Sequence, residues 1–352
     1  MKNLIEEVNK LYIFSRPIRF LKKIQKGYLT SNFVIGNGKE KYFLKEYRDN
    51  VLRVKNTHVA KEFLAKKGIP VILPLKNKRG KTFFVRDKKV YGIFPYVIGK
   101  QFQRLKVPRK NLEAAGELLA KIHLLSKDGV DIGIRKRRFV VNRKISMEKA
   151  RNVLKIIKEK KHKTEFDKMV LEHLASRAEC IRNNLIRVNA RKLGKNHIIH
   201  ADYHESNMFF TGNKISYLFD WEMVSSAPRV MEIARFLDFF CFYGNYEKRN
   251  FLMAKNYLKA YHKIYPIEEE ELLNGLIVWF YHKLHIMWSL EEYYIYNKKK
   301  SKKFIEQEMK SFQYYSESLE KFKKEILYIT NTLQRTVRYG PLWRGAINKE
   351  TK

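Results

Sequence analysis

The sequence predicts an α+β protein of two lobes, a small one built on an antiparallel sheet followed by a larger, mainly helical one. Three observations carry this. Between residues 18 and 97, apolar and polar residues alternate in short runs separated by turn residues, the period of half-buried strands. Beyond Gly99 the spacing becomes that of helices, interrupted by one strand, turn, strand passage at 208–219. With 352 residues, each lobe can bury a core of its own. The divisions expected are 1–97, 98–330 and a basic tail at 331–352.

In order, residues 1–15 read as an amphipathic helix with Leu4, Val8, Leu11 and Tyr12 on one face. Strands follow at 20–26, 33–36 and 41–47, the last two joined by a turn at Asn37-Gly38. A helix at 51–67 stops at Gly68, and strands at 82–86 and 90–95 bring the sheet to about five. The helical part opens with 112–125, then a Gly-, Arg- and Lys-rich loop at 126–144 and one or two helices within 146–193. After the hairpin come a helix at 230–243 and an aromatic, helical remainder from Phe251. There, Trp288, Glu291 and Glu292 could line a pocket, although an aromatic stripe at helical spacing is more often core. His282 and His285 lack nearby Cys or acidic partners and make a weak metal signal.

The densest chemistry lies in His200-Ala-Asp-Tyr-His-Glu-Ser-Asn207 and Asp220-Trp-Glu222. Alone, a loop Asp or Asn is usually a turn former or a cap. Together, Asp202, Asn207 and Asp220 meet the needs of Mg²⁺-dependent phosphoryl transfer: one carboxylate to orient or accept the proton of an attacking hydroxyl, and two oxygen ligands for metal. A short strand at 208–210, a turn at 211–214 and a returning strand to Phe219 would deliver Asp220 beside Asn207. In a chain of net charge +37, the acids between His200 and Asp238 outnumber the bases, making a local acidic island.

His200-Ala-Asp202, Asn207 and Asp220-Trp-Glu together resemble the Brenner-type motif of the aminoglycoside phosphotransferase and choline kinase superfamily, with His204 where many members carry a second histidine. The resemblance implies a protein-kinase-like fold, with ATP and Mg²⁺ as cofactors. Asp202 would be the catalytic base, and Asn207 and Asp220 the metal ligands. It also implies that Lys45, on the third strand, contacts the α- and β-phosphates and is held by a glutamate of the next helix, of which Glu62 is the most central. The loop from Gly27 to Asn32 would cover the phosphates, with Ser31 and Asn32 its best-matched positions, although an ordinary hairpin loop would look the same. The stretch from Tyr91 to Lys100 is similar to the family's adenine-binding hinge. Pro95 has no N–H, so the donor there would be Tyr96 or Val97. The family usually has Gly at Ala201 and Asp at Glu232.

The implied reaction moves the γ-phosphoryl group of ATP to a hydroxyl of a small molecule. Too few residues separate Asp220 from the next helix for a peptide-docking platform, which favours a small acceptor over a protein. Lys and Arg number 73 against 36 Asp and Glu, an excess that draws a protein towards polyanions. The bases are scattered along the chain, however, which argues against dedicated nucleic-acid binding. The same charge disfavours a polycationic acceptor such as an aminoglycoside relative to a neutral or weakly charged alcohol. The alternative is a catalytically silent member of the fold, as in the CotS-like spore-coat branch, using its basic surface to hold an anionic polymer or coat assembly. Two cysteines indicate no disulfide framework. A charged opening without an apolar signal core, and no run that would span a membrane, predict a cytoplasmic protein, or one of the spore coat.

Overall fold

The computed structural model describes residues 1–24, 31–127, 129–139, 141–183 and 193–338, with side chains as far as 331. The chain divides into two compact units, one formed by Met1–Lys136 with His197–Ser226 and the other by Arg137–Asn196 with Ala227–Lys352.

The first unit starts with helix α1 (Lys2–Leu11), which buries Leu4, Ile5 and Val8. Strands β1 (Arg19–Ile24), β2 (Asn32–Gly36) and β3 (Lys41–Tyr47), helix α2 (Val51–Lys66), and strands β4 (Phe84–Arg86) and β5 (Lys89–Pro95) follow. All five strands join one sheet in the order β1-β2-β3-β5-β4, and every pairing is antiparallel. The apolar face of α1 packs with Phe33, Ile35, Leu44 and Ile93 in one core cluster. Tyr47, Val54 of α2, Val90 and Phe94 form a second. Asn50 caps α2 by accepting the Arg53 N–H at 3.0 Å. The helix ends where Gly68 takes φ 79°, a conformation glycine adopts without strain.

Helix α3 (Arg109–Leu124) belongs to this unit, as do the short strands β7 (Met208–Thr211) and β8 (Lys214–Leu218), an antiparallel hairpin. Strand β6 (Asn196–Ile199) leads into the loop before the hairpin. Two links tie the hairpin down. The N–H of Leu218 donates to the Pro70 carbonyl at 2.7 Å, and Lys100 and Phe210 exchange backbone hydrogen bonds of 3.2 and 2.9 Å. At Gly99 the backbone runs so close to Phe209 that a Cβ would lie 2.5 Å from that residue's Cβ, so only glycine fits.

The second unit is helical: α4 (Arg143–Lys158), α5 (Glu165–Asn183), α6 (Arg229–Phe236), α7 (Lys248–Ile264), α8 (Glu269–His285), α9 (Trp288–Tyr294) and α10 (Lys302–Arg338). Strand β9 (Ser225–Pro228) precedes α6. Between α6 and α7 the turns widen to a π-helix over Leu237–Phe242. Its Asp238 is buried and accepts from Trp279 Nε1 and Lys283 Nζ, each at 2.9 Å. Glu232 is also buried, in α6. Helix α10 carries the backbone of the basic tail as far as Arg338; residues 339–352 of that tail lie outside the described residues. No helix among the described residues is long and apolar enough to cross a membrane.

Candidate active site

The loop after β6 is fixed by its first histidine. His200 is fully buried. Its Nδ1 accepts the Asp202 N–H at 3.2 Å, which leaves the ring proton on Nε2, 2.9 Å from the Phe219 carbonyl. One imidazole thereby ties the start of the loop to the end of the hairpin. Ala201, between them, has φ 62°, which explains why a glycine suits the position. The ring of Tyr203 is buried, and its hydroxyl donates to the Ala115 carbonyl of α3 at 2.8 Å.

Asp202 is held from its own loop. The Asn207 amide donates to the Asp202 Oδ2 at 3.0 Å and to the Asp202 backbone carbonyl at 2.9 Å. His204 accepts the Ser206 N–H on Nδ1 at 3.2 Å, so its Nε2–H faces Asp202 Oδ2 at 3.4 Å. With its NH₂ committed to Asp202, Asn207 offers the amide oxygen. Its backbone carbonyl accepts the Phe219 N–H at 3.0 Å, which brings the residue before Asp220 alongside.

Asp220 takes the left-handed conformation, φ 64°, one that Asp tolerates better than most residues. The Lys45 ammonium, from the middle of the sheet, lies 3.0 Å from Asp220 Oδ1 and in direct contact with Glu222. Burial works against that ammonium, but the two carboxylates outweigh it and hold the amine above its ordinary range. Burial pushes the Glu222 carboxyl up, and Lys45 opposes this. An amide oxygen and a carboxylate are hard oxygen donors, the kind Mg²⁺ takes when phosphates and water complete its shell, so Asn207 and Asp220 fit that ion.

The chain matches the phosphotransferase enzyme family over residues 21–268. It belongs to that family. Among curated proteins it is similar to the homoserine kinases of Afipia carboxidovorans, 25% identical over 262 residues covering 71% of this chain and 72% of the relative, and of Agrobacterium fabrum, 24% identical over 255 residues covering 71% and 73%. Among solved structures it shares its fold with spectinomycin phosphotransferase in complex with ADP and spectinomycin, at TM-score 0.63 and 17% identity over 95% of this chain and 98% of the other. A microcompartment-associated aminopropanol kinase gives TM-score 0.61 at 9% identity, covering 90% and 98%. The protein is thus a phosphotransferase of the small-molecule kinase class, with the kinase-like α+β fold that the sequence led us to expect.

Within this phosphotransferase, the remaining residues singled out from the sequence are placed as follows. Asn32 is buried on β2 directly across from Lys45, and the Ser31 carbonyl accepts the Glu46 N–H at 3.2 Å. Residues 27–30 of the same loop lie outside the described residues. Of the two expected hinge donors, the Tyr96 N–H is used within the sheet, donating to the Lys41 carbonyl at 3.2 Å. Glu62 is not brought to Lys45: it is 45% exposed and lies 3.8 Å from Lys76. The carboxylate against Lys45 that sequence reasoning passed over is Glu222, although it stood in the same Asp-Trp-Glu motif.

Two further features escaped the sequence. Arg104 donates to Glu205 Oε1 at 2.8 Å, and Gln101 to the Ser206 carbonyl at 2.8 Å, so the segment after the hinge braces the loop. Lys61 of α2 is buried, with Nζ 4.1 Å from the centre of the Phe94 ring. In the helical unit, Glu291 pairs with Lys149 at 2.8 Å and Glu292 with Lys298, while the Trp288 ring sits against Phe304. His285 is buried with Nδ1 3.0 Å from Ser146 Oγ, and burial lowers the basicity of both His282 and His285.

Proposed function

We propose that this enzyme transfers the γ-phosphoryl group of ATP to the hydroxyl of a small alcohol carrying at most one ammonium group. The observation that carries the reading is the doubly hydrogen-bonded Asp202: Asn207 fixes both its carboxylate and its carbonyl, so the carboxylate is aimed before any substrate arrives.

In the step itself, the acceptor oxygen forms a bond to the γ-phosphorus, the bond from that phosphorus to the β,γ-bridging oxygen breaks, and ADP departs. Asp202 orients the acceptor hydroxyl and takes its proton as the P–O bond forms. Lys45 holds the non-transferred phosphates, and Val97 is the backbone donor to adenine. Ser31 and Asn32 stand at the edge of the phosphate-covering loop. What Mg²⁺ supplies when bound is neutralisation of phosphate charge, with Asn207 and Asp220 as its ligands from the chain.

The acceptor class follows from charge. The body, at +37, repels polycations, whereas between His200 and Asp238 the acids outnumber the bases, a local balance that tolerates one ammonium. The substrates named for the homoserine and aminopropanol kinases it resembles, a hydroxy amino acid and an amino alcohol, each carry one amino group, in keeping with this. The test is a panel of hydroxy amino acids, amino alcohols, sugars and aminoglycosides with Mg²⁺-ATP, on wild type and Asp202→Asn. We expect turnover with a monoamine alcohol, reduced about 10²- to 10⁴-fold in the variant. Undiminished turnover by Asp202→Asn would refute the assignment of the base. ATP binding without phosphorylation of any acceptor would favour the silent, structural role.

A further inference from the structure

The surroundings of Lys45 hold an exchange of charges that the family resemblance does not lead one to expect. A lysine in this position needs a carboxylate to aim it, and the expected source is α2. The face of α2 turned towards the sheet is instead Val54, His58, Lys61 and Leu64, spaced by three and four residues, and Glu62 falls to one side of it, beside Lys76. Lys61 is 7% exposed and its amine sits over Phe94. His58, one turn earlier, is locked between the Tyr47 hydroxyl and Thr82 Oγ1, each at 2.8 Å. The part of α2 that faces the sheet therefore carries no carboxylate. The carboxylate in contact with Lys45 comes from the other side, from Glu222.

We propose that Glu222 is the positioning residue for Lys45, and that Lys61 occupies the place on α2 from which a carboxylate would otherwise do this. The inference rests on the phosphotransfer reading above. Charge balance explains the pairing. Asp220 and Glu222 already bring two negative charges to one ammonium, and a third carboxylate from α2 would repel both. Lys61, its amine held down to about 7 first by burial and then by Lys45, brings no further negative charge to the set. With Asp220 given to a metal, Glu222 would be the carboxylate left to hold Lys45. Glu222 is itself anchored, because Arg53 at the start of α2 donates to its backbone carbonyl at 3.1 Å.

The test measures the affinity of the full-length protein for Mg²⁺-AMP-PNP by calorimetry, together with the unliganded melting temperature. Glu222→Gln is expected to weaken binding about tenfold or more, the scale of one lost charge-assisted hydrogen bond, and Glu62→Gln to change it less than about twofold. The double variant Lys61→Glu with Glu222→Gln returns a carboxylate to α2 and is expected to recover most of the affinity, which a merely structural role for either residue would not produce. Should Glu222→Gln fold poorly by its melting curve, Glu222→Asp, which keeps the charge but shortens its reach, is expected to show an intermediate loss. Wild-type affinity in Glu222→Gln, a tenfold loss in Glu62→Gln, or a double variant no better than Glu222→Gln would overturn the inference while leaving phosphotransfer intact. A wild type that binds no AMP-PNP would remove both.

Discussion

The side-chain amide of Asn207 donates to the carboxylate and to the backbone carbonyl of Asp202, at 3.0 and 2.9 Å, so one residue fixes the carboxylate we propose as the base and also carries the oxygen we propose for metal. Replacing the amide by a carboxylate keeps the metal-binding oxygen and reverses the contact with Asp202. We expect Asn207→Asp to lower kcat by roughly 10²-fold through misplacement of the base, with a smaller change in the Mg²⁺ concentration for half-maximal rate. A steady-state series in Mg²⁺ separates the two. A variant with normal kcat would show that Asn207 does not position Asp202.

Ala201 is an L-residue held at φ 62°, where a side chain costs energy that glycine does not incur. Ala201→Gly should therefore stabilise the protein, by roughly 0.5–1 kcal/mol after allowing for the greater freedom of glycine in the unfolded chain. The urea midpoint is the measurement, and an unchanged or lower midpoint would contradict it.

Several histidines are buried in their neutral form. Burial holds His58 and His173 at about 3, with Lys61 and Arg177 respectively adding to the effect. Their folded values lie below the ordinary value of about 6.5, so the unfolded chain binds the extra protons. Stability from these groups is whole above pH 6.5 and falls as pH drops towards 3, by up to about 1.4 kcal/mol per pH unit for each. Nε2 of His173 has no hydrogen-bond partner among the described residues, and its ring meets Phe312 edge-on at 5.1 Å. His173→Phe should thus flatten the acid limb of the stability curve while leaving pH 8 stability nearly unchanged. Urea titrations at pH 5 and pH 8 decide this.

Asp238 places a carboxylate in the π-helical turn where Trp279 and Lys283 both donate to it. Removing it leaves the Lys283 ammonium, itself only 10% exposed, without its counter-ion. Asp238→Ala should cost about 3–5 kcal/mol in denaturant unfolding. A loss below about 1 kcal/mol would mean that the turn relaxes and lets water reach the lysine.

The five strands, the loop at 200–207 and the hairpin could be read from the sequence because alternation and turn residues act locally. Ala201 takes a φ that suits glycine, and the hairpin brings Asp220 alongside Asn207. The partner of Lys45 could not be read in this way. The apolar residues of α2 are spread around the helix with no clear stripe, so its buried face emerges only on packing, and Glu62 and Lys61 exchange their expected environments. The choice between Tyr96 and Val97 was hidden for another reason. It depends on the β3–β5 register, which pairs Tyr42 with Pro95 and thereby consumes the next N–H.

The first unit is assembled from two stretches of chain, with residues 137–196 departing and returning between them. All the residues to which we assign phosphate chemistry, from Ser31 to Glu222, lie within those two stretches. An intervening segment that carries none of them can lengthen, shorten or drift over generations without disturbing the reacting groups. The ancestry of the reacting groups is therefore to be traced through 1–136 and 197–226.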